Sequence, residues 1–502
     1  MGCKEITRER VVLIPYPAQG HVTPMIQLAA AFHRKGFEPL IITPNFIHEH
    51  LVMSRKEDDD NQEGLVFVPL PDGLAENEPR NFFTIRLAME NTMPRHLHRM
   101  LGALRNEQVA AAAGAGRVAC VVVDLLASWA IDVATSHDIP VAGFWPAMHA
   151  TYNLVSAIPH MIQAGFISET GSPVRKGAVR FLPGQPMLGT DDLPWLVGNP
   201  AQRISRFQFW LQTLRRSKSL RWLLINSFPN EDRNHHQVQQ ITPATKSAHF
   251  NPPSHFHVGP LTRHTKTNPS LWVEDKSCLE WLDKQTPRSV VYVSFGSWVG
   301  PIGEAQIAEL ALGLEATQKP FLWVLGHEWR AGLPAGYEEQ VAVRGKVVTW
   351  APQKEVLQHG AVGCFLTHCG WNSTVEAIVG GKPLLCYPLA GDQFVNSTYI
   401  AEVWGIGVRM GGMERREVEE RVREVTELGG GEMGRRVVEL KERIMGEEDD
   451  SANLNAFLEC LKKSGHLGGG ESLSSCVGDG RANAAMSRPG GRENAIIHAC
   501  IG

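Results

Sequence analysis

The sequence predicts an α/β protein made of two doubly wound parallel-sheet domains. Three observations lead there. Short apolar strands alternate with longer helical patterns through residues 1–240, and the same alternation resumes through residues 262–450. Between them, residues 241–261 (ITPATKSAHFNPPSHFHVGPL) are rich in Pro, Ser and His and carry no period, which predicts an interdomain linker.

In the first half, VVLIPY leads into VTPMIQLAAAFHRKG and then FEPLIITP; later VACVVVD leads into LLASWAIDVATSHD and then IPVAGFW. Each is a strand–helix–strand unit, which implies parallel strands joined by crossover helices. In the second half SVVYVSF, FLWVL, KVVTW, GCFLTH and PLLCYPL are strand candidates. EAQIAELALGLEAT, QKEVLQHG and NSTVEAIVGG are the helices between them. Near the end, SANLNAFLECLKK places Leu454, Phe457, Leu458 and Leu461 at i, i+3, i+4 and i+7, one apolar stripe behind a Ser451 cap. Residues 465–502 are rich in Gly, Ser and Asn without period. They are expected to be disordered, because so few apolar groups cannot offset the entropy of ordering.

Composition narrows the function classes. Of 502 residues, 43% are apolar and 20% charged, with a net charge of −4, so no nucleic-acid or membrane-surface partner is indicated. Nine cysteines are scattered without a CxxC pair, which fits a reduced compartment. The start, MGCKEITRER, is too charged for a signal peptide, and no apolar run reaches the roughly 18 residues a bilayer span needs. A soluble cytoplasmic protein is expected. Asp58 and Asp60 in SRKEDDDNQEG could be read as metal ligands, but a solvated charge run explains them better.

Several common sites are missing. There is no GxxxxGK[ST], GxSxG or HExxH. A literal GxGxxG spans Gly429 to Gly434, yet it follows a charged helical stretch instead of a strand, so it reads as a surface loop and not a dinucleotide site.

The informative segment runs from Trp350 to Gln393: WAPQKEVLQHGAVGCFLTHCGWNSTVEAIVGGKPLLCYPLAGDQ. Its polar and aromatic residues collect at strand ends. Trp350 closes KVVTW, His368 closes GCFLTH, and Asp392 and Gln393 follow PLLCYPLAG. Ligands of open α/β sheets sit outside the carboxyl ends of the strands, so these groups should share a cleft. Gly370 permits close backbone approach. Asn372 and Ser373 offer cap chemistry at a helix N-terminus, a ready site for a diphosphate. Trp350 offers a ring face for a base, Glu376 a carboxylate for ribose, and Asp392 with Gln393 suit the hydroxyls of a sugar. These residues suggest a nucleotide-sugar site.

The pattern W-x-P-Q…H-C-G-W-N-S…E…G-x-P…D-Q resembles the secondary-product signature of plant family 1 UDP-glycosyltransferases. PAQGHVTPM, VVVD, VSFGS and SANLNAFL extend the likeness over about residues 8–463. The wording VVVDLLASWAIDVA and LLCYPLAGDQFVN is similar to the small plant family numbered 82. The resemblance implies the GT-B architecture: two Rossmann-like domains facing across a cleft, acceptor in the first, UDP-sugar in the second. It implies that helix 451–464 crosses back to the N-terminal domain. It further implies that Trp350 stacks on uracil and the Ala351 backbone pairs with its edge. Gln353 and Glu376 would hold the ribose, and Ser297, His368, Asn372 and Ser373 the diphosphate. Trp371, Asp392 and Gln393 would face the sugar, with Gln393 favouring glucose. No cofactor and no metal are expected, UDP-glucose being a co-substrate. The acceptor would be a phenolic, flavonoid, terpenoid or hormone. Lys382 stands where a small apolar residue is usual, and a surface effect is expected of it.

His21 follows the first strand and opens a helix; Asp124 ends VACVVVD. Alone, His21 reads as a capping or solvated residue and Asp124 as a helix cap. With the signature present, they read as a base and its orienting carboxylate. The helix dipole should keep the ring neutral. The likeness then implies that His21 takes the proton of an acceptor hydroxyl and that one displacement inverts the anomeric carbon. A catalytically silent UDP-sugar or small-molecule binding protein and a sugar-nucleotide epimerase or dehydrogenase using NAD are the rival readings. His21 and Asp124 speak against the first, the missing strand-linked GxGxxG against the second. Trp145 and Trp298 could belong to core or acceptor pocket, and segments 143–155 and 188–197 are candidate pocket walls.

Overall fold

The computed structural model describes residues 8–54, 64–75, 78–110, 116–229, 231, 253–265, 269–297, 302–446 and 450–466. Asp58, Asp60, Trp298, residues 241–252 and the tail from 467 lie outside them.

The N-terminal half supplies β1 (Arg10–Ile14), β2 (Glu38–Pro44), β3 (Val66–Leu70), β4 (Val118–Asp124), β5 (Val141–Trp145), a short antiparallel pair β6 (Ala178–Val179) and β7 (Leu188–Gly189), then β8 (Trp222–Ile225) and β9 (Ser254–His257). Seven of these make one parallel sheet ordered β3-β2-β1-β4-β5-β8-β9. The C-terminal half supplies β10 (Val290–Ser294), β11 (Phe321–Val324), β12 (Gly345–Val348), β13 (Val362–Thr367), β14 (Leu384–Cys386) and β15 (Gly407–Arg409), ordered β12-β11-β10-β13-β14-β15, again parallel. Two Rossmann-like sheets face each other, the GT-B arrangement. The central strands are apolar at successive positions because helices cover both faces: every residue of β4, β10 and β13 is buried.

One boundary differs from the expectation. Residues 254–257 were expected within the linker, yet they form β9, which pairs with β8 from Trp222↔Ser254 to Ile225↔His257. Proline and histidine masked a strand of which only Phe256 is buried. The helix expected from Ser451 begins at Asp450 and runs to His466, so Ser451 is not its cap. Its Leu454, Phe457, Leu458 and Leu461 enter the N-terminal core. The Phe457 ring lies 6.3 Å from Phe32, 5.9 Å from Trp222 and 5.7 Å from Phe256. Burying one such ring contributes about 1.5–3 kcal/mol, so the stripe ties the chain end to the first domain.

The halves are joined by specific bonds as well. The indole of Trp371 donates to the Asn226 carbonyl at 2.7 Å, that of Trp404 to the Glu231 carbonyl at 2.9 Å, and Arg409 grips Asp192 with two bonds of 2.9 Å. Between Gly429 and Gly434 the chain turns from helix Arg415–Leu428 into helix Glu432–Gly446, not from strand to helix.

Candidate active site in the interdomain cleft

A cleft of about 700 Å³ opens between the two sheets at their carboxyl ends. In each sheet the strand order reverses at the middle, between β1 and β4 and between β10 and β13, and a cleft at such a switch point is where doubly wound sheets bind ligands. Ala18, Gln19, Gly20, His21, Pro146 and Ala147 border it from the first domain. Ser297, Trp350, Ala351, Gln353, His368, Gly370, Trp371, Asn372, Ser373, Glu376, Asp392 and Gln393 border it from the second.

His21 sits in the first turn of helix Gln19–Arg34, directly after β1. Its Nδ1 meets Asp124 Oδ2 at 2.7 Å; the ring is 22% exposed, the carboxylate 0%. The other oxygen, Oδ1, accepts the Leu126 N–H at 2.9 Å. Asp124 is therefore both a cap and the partner of His21, one oxygen for each. Contrary to the dipole expectation, the His21 pKa is raised from 6.5. Burial is the largest single influence and lowers it, but the Asp124 charge, its hydrogen bond and the Asp392 charge together outweigh burial. The nearby carboxylates favour imidazolium more than burial disfavours it.

His368, one residue past β13, behaves oppositely. It is buried, and burial pushes it down to about 4 despite a bond to the Ser294 backbone carbonyl, so the ring is neutral at physiological pH. Two glycines make room for it. A Cβ on Gly296 would stand 2.7 Å from its Nε2 and one on Gly370 2.5 Å away, and Gly296 also needs φ +80.

Helix Trp371–Gly380 starts beside this ring with Gly370 at its cap and no capping side chain. Asn372 and Ser373 were expected to cap it; both are engaged elsewhere. Asn372 Nδ2 donates to the Gly20 carbonyl at 2.9 Å. That carbonyl would normally receive the N–H of the residue four later, but this is Pro24, which has none. The proline thus frees an acceptor that the second domain takes up, one residue before His21. Ser373 accepts from Gln353 Nε2 at 2.8 Å, and the same nitrogen donates to Glu376 Oε2 at 2.8 Å. Gln353 and Glu376 are held together, as residues sharing one diol would need.

Trp350 lies two residues past β12. Its indole N–H donates to Ser270 Oγ at 3.0 Å, and Trp272 stands 6.0 Å away. Asp392 accepts from Asn396 at 2.9 Å; burial raises its pKa against that bond and His21. Gln393 receives the Leu389 and Ala390 N–H groups on its oxygen at 2.9 and 2.8 Å, which leaves its amide N–H₂ for a ligand.

Two expectations need correction. Trp371 borders the cleft, but its indole is 3% exposed, bonded to Asn226 and stacked 6.1 Å from Phe228, so its ring serves the domain interface rather than a sugar. Lys382 is not a surface residue. It is 7% exposed, and its Nζ donates to the His359 and Val362 carbonyls at 2.9 Å each; burial pushes it down to about 8.

Other participants gave no signal in the sequence. Gln19 and Thr23 flank His21 and hold the Pro269 carbonyl at 2.9 Å each; Gln19 also accepts the Leu271 N–H at 2.8 Å. Lys354, pushed down to about 8 by burial, ties Thr262 and Thr265 beneath the cleft. Trp145 is core: 3% exposed, with its N–H on the Met148 carbonyl at 2.9 Å. Among the described residues no group of three or more His, Cys, Asp or Glu could hold a metal ion. No helix among them is long and apolar enough to cross a membrane.

The chain is 46% identical over 460 residues to UDP-glycosyltransferase 82A1 of Arabidopsis thaliana, covering 89% of this chain and 96% of that protein. It belongs to the UDP-glycosyltransferase family. Residues 261–428 match the family model described as UDP-glucoronosyl and UDP-glucosyl transferase, and the alignment places the chain near family 82. It is 34% identical to UDP-glycosyltransferase 83A1 of the same plant, over 91% of this chain and 98% of that one. Among solved structures, Os79 from O. sativa in complex with UDP superposes with a TM-score of 0.73 at 26% identity, covering 90% of this chain and 99% of that one. As a member of this family the chain is a UDP-dependent glycosyltransferase, and its matched segment includes the whole second wall of the cleft from Ser297 to Gln393.

Proposed function

We propose that the protein transfers a hexose, glucose by preference, from its UDP-sugar to a hydroxyl or carboxyl of a small lipophilic acceptor, with inversion, in the cytoplasm and without a metal. The observation that carries this reading is the 2.7 Å His21–Asp124 pair facing the cleft at the first switch point. With Nδ1–H donated to Asp124, His21 presents Nε2 to the cleft. That nitrogen takes the acceptor proton. The acceptor oxygen forms a bond to the anomeric carbon as the bond to the diphosphate oxygen breaks, and UDP leaves with the electron pair. Asp124 stabilises the imidazolium so formed.

The remaining residues act by holding the donor. Trp350 stacks on uracil and the Ala351 backbone meets its edge. Gln353 and Glu376 take the ribose. Ser297, the neutral His368 and the N–H groups of Asn372 and Ser373 at the helix start take the diphosphate, where the helix dipole and fixed donors offset the charge that develops on leaving. This donor set is what supports metal independence. Asp392 and Gln393 take the sugar. For glucose the support is Gln393 and relatives such as 7-deoxyloganetic acid glucosyltransferase of Catharanthus roseus, 30% identical over 92% of this chain and 99% of that one. The acceptor class is phenolic, flavonoid, terpenoid or hormone.

The test is an acceptor panel with UDP-glucose, read by mass gain, with EDTA present and absent and the product anomer assigned by NMR. A β-glycoside formed equally in EDTA is expected. An α-product, or a loss in EDTA reversed by Mg²⁺ or Mn²⁺, would reject the mechanism.

A further inference from the structure

The turn that carries His21 is bonded to the second domain at two points. Gly20 gives its carbonyl to Asn372 Nδ2 at 2.9 Å, at the start of helix Trp371–Gly380. Gln19, the first residue of helix Gln19–Arg34, reaches a different place. Its Nε2 donates to the Pro269 carbonyl at 2.9 Å and to Thr23 Oγ1 at 2.7 Å, and its Oε1 accepts the Leu271 N–H at 2.8 Å. Thr23, one turn on along the same helix face, donates to the Pro269 carbonyl as well, at 2.9 Å. Both N–H groups of the Gln19 amide are engaged by the protein. Although the side chain borders the cleft, it has no donor left for a ligand.

Residues 269–275 lead from this contact to Trp350. Leu271 is buried in the N-terminal core. Ser270, beside it, accepts the Trp350 indole N–H at 3.0 Å and the Trp272 N–H at 3.1 Å, and donates to the Trp272 carbonyl at 2.9 Å. The Asp275 N–H holds the Trp350 carbonyl at 3.0 Å. The Trp272 ring stands 6.0 Å from Trp350 and 5.2 Å from His50 of the N-terminal domain. Trp350 is therefore held, by ring and by backbone, on a segment whose residues 269 and 271 are fixed to the helix of His21. The interdomain bonds of Trp371, Trp404 and Arg409 end on Asn226, Glu231 and Asp192, away from this segment.

In-line transfer needs the reacting atoms about 3–3.5 Å apart, and an error of about 1 Å can cost about 10² in rate. The base sits on one domain and the donor site on the other, so that distance depends on bonds crossing between them. Resting on the readings of Trp350 as the uracil platform and His21 as the base, we propose that Gln19 is a positioning residue: through residues 269–271 it fixes where the platform stands relative to His21. Asn372 ties the diphosphate end to the same turn, so the donor is registered on the base at both ends.

The experiment is a double-variant cycle on the full chain. Gln19→Leu keeps the side-chain length and removes its three bonds; Ser270→Ala removes the bond to the Trp350 indole. Calorimetry should show UDP bound about fivefold more weakly in each, close to what one neutral hydrogen bond contributes. The double variant should lose no more than the worse single one, because both act through one connection. Unchanged affinity in Gln19→Leu, or losses that multiply, overturns the proposal. With UDP-glucose and a panel acceptor, kcat of Gln19→Leu at saturating donor should fall about ten- to a hundredfold, and the acid limb of its pH profile should stay in place, since the His21–Asp124 pair is untouched. Normal kcat, or a limb that moves, also rejects it. Should Gln19→Leu not fold, Thr23→Val removes one of the two donors to the Pro269 carbonyl. About a twofold loss of UDP affinity that Ser270→Ala absorbs then supports the proposal, and unchanged affinity rejects it. Failure of the underlying readings would look different: normal UDP binding by Trp350→Ala, or normal transfer by His21→Ala.

Discussion

Two histidines stand on opposite sides of the switch points in the two halves of this molecule, and their chemistry is opposite. In each sheet the first strand pairs with the fourth across the switch point, with Ile14 opposite Val123 in one and Ser294 opposite Thr367 in the other, and both pairings slip register after the first residue. His21 follows the first strand of one sheet, and His368 the fourth strand of the other. His21 has a buried carboxylate at 2.7 Å and its pKa is raised. His368 has two glycines, a helix start and no carboxylate among its influences, and it is driven to about 4. Topology supplies the position; the neighbouring charge decides whether the ring exchanges protons or only donates a hydrogen bond.

Breaking the comparison at its reactive end should give the largest effect. His21→Ala is expected to lower kcat by about 10²–10⁴ while calorimetry still detects UDP binding. Near-normal turnover would remove the distinction between the two rings. Asp124→Asn should come next, with a loss of about 10²-fold, the lower end of what a positioned acid–base group contributes. It also changes the pH profile in a defined direction. With His21 as the proposed base, transfer needs its neutral ring, so kcat/KM should fall as pH drops through its pKa, which is raised from 6.5. Removing the Asp124 charge lowers that pKa, and the acid limb should move to lower pH; a limb that stays in place would show that Asp124 does not tune His21.

His368→Ala probes the neutral ring. About a tenfold weaker UDP affinity is expected, one lost hydrogen bond to a charged group, with the acid limb unmoved. The smallest effect should come from Lys382→Met, remote from the cleft wall. Leaving two buried carbonyls without their donor should cost about 1–3 kcal/mol in chemical denaturation, with kinetics unaltered.

Much of this site is legible in the chain because its residues come from local strand-to-helix turns. Each such turn delivers a short contiguous string, such as QGH after β1 or HCGWNS after β13, to the same end of a sheet. Period and turn composition sufficed to place His21, Asp124, His368 and Asp392 together. What escaped depends on contacts between distant segments. β9 was hidden because only one of its four residues is buried. Asn372 was assigned to its own helix, but its partner is Gly20, 352 residues away. Trp371 was assigned to the sugar, but the Asn226 carbonyl and the Phe228 ring claim its indole. Lys382 was read as surface because nothing in GGKP reveals two carbonyls waiting for a donor.

The sequence by itself determined the doubly wound class and the strand-end residues of the second cleft wall, because these follow from hydrophobic period and local turns, and it pointed to the family through the signature motif from Trp350 to Gln393. Only the tertiary structure decided which groups neutralise one another. Coulombic and hydrogen-bond partners are set by distances of a few ångströms between segments hundreds of residues apart. That is why the direction of the His21 shift and the burial of Lys382 became visible only in the folded chain.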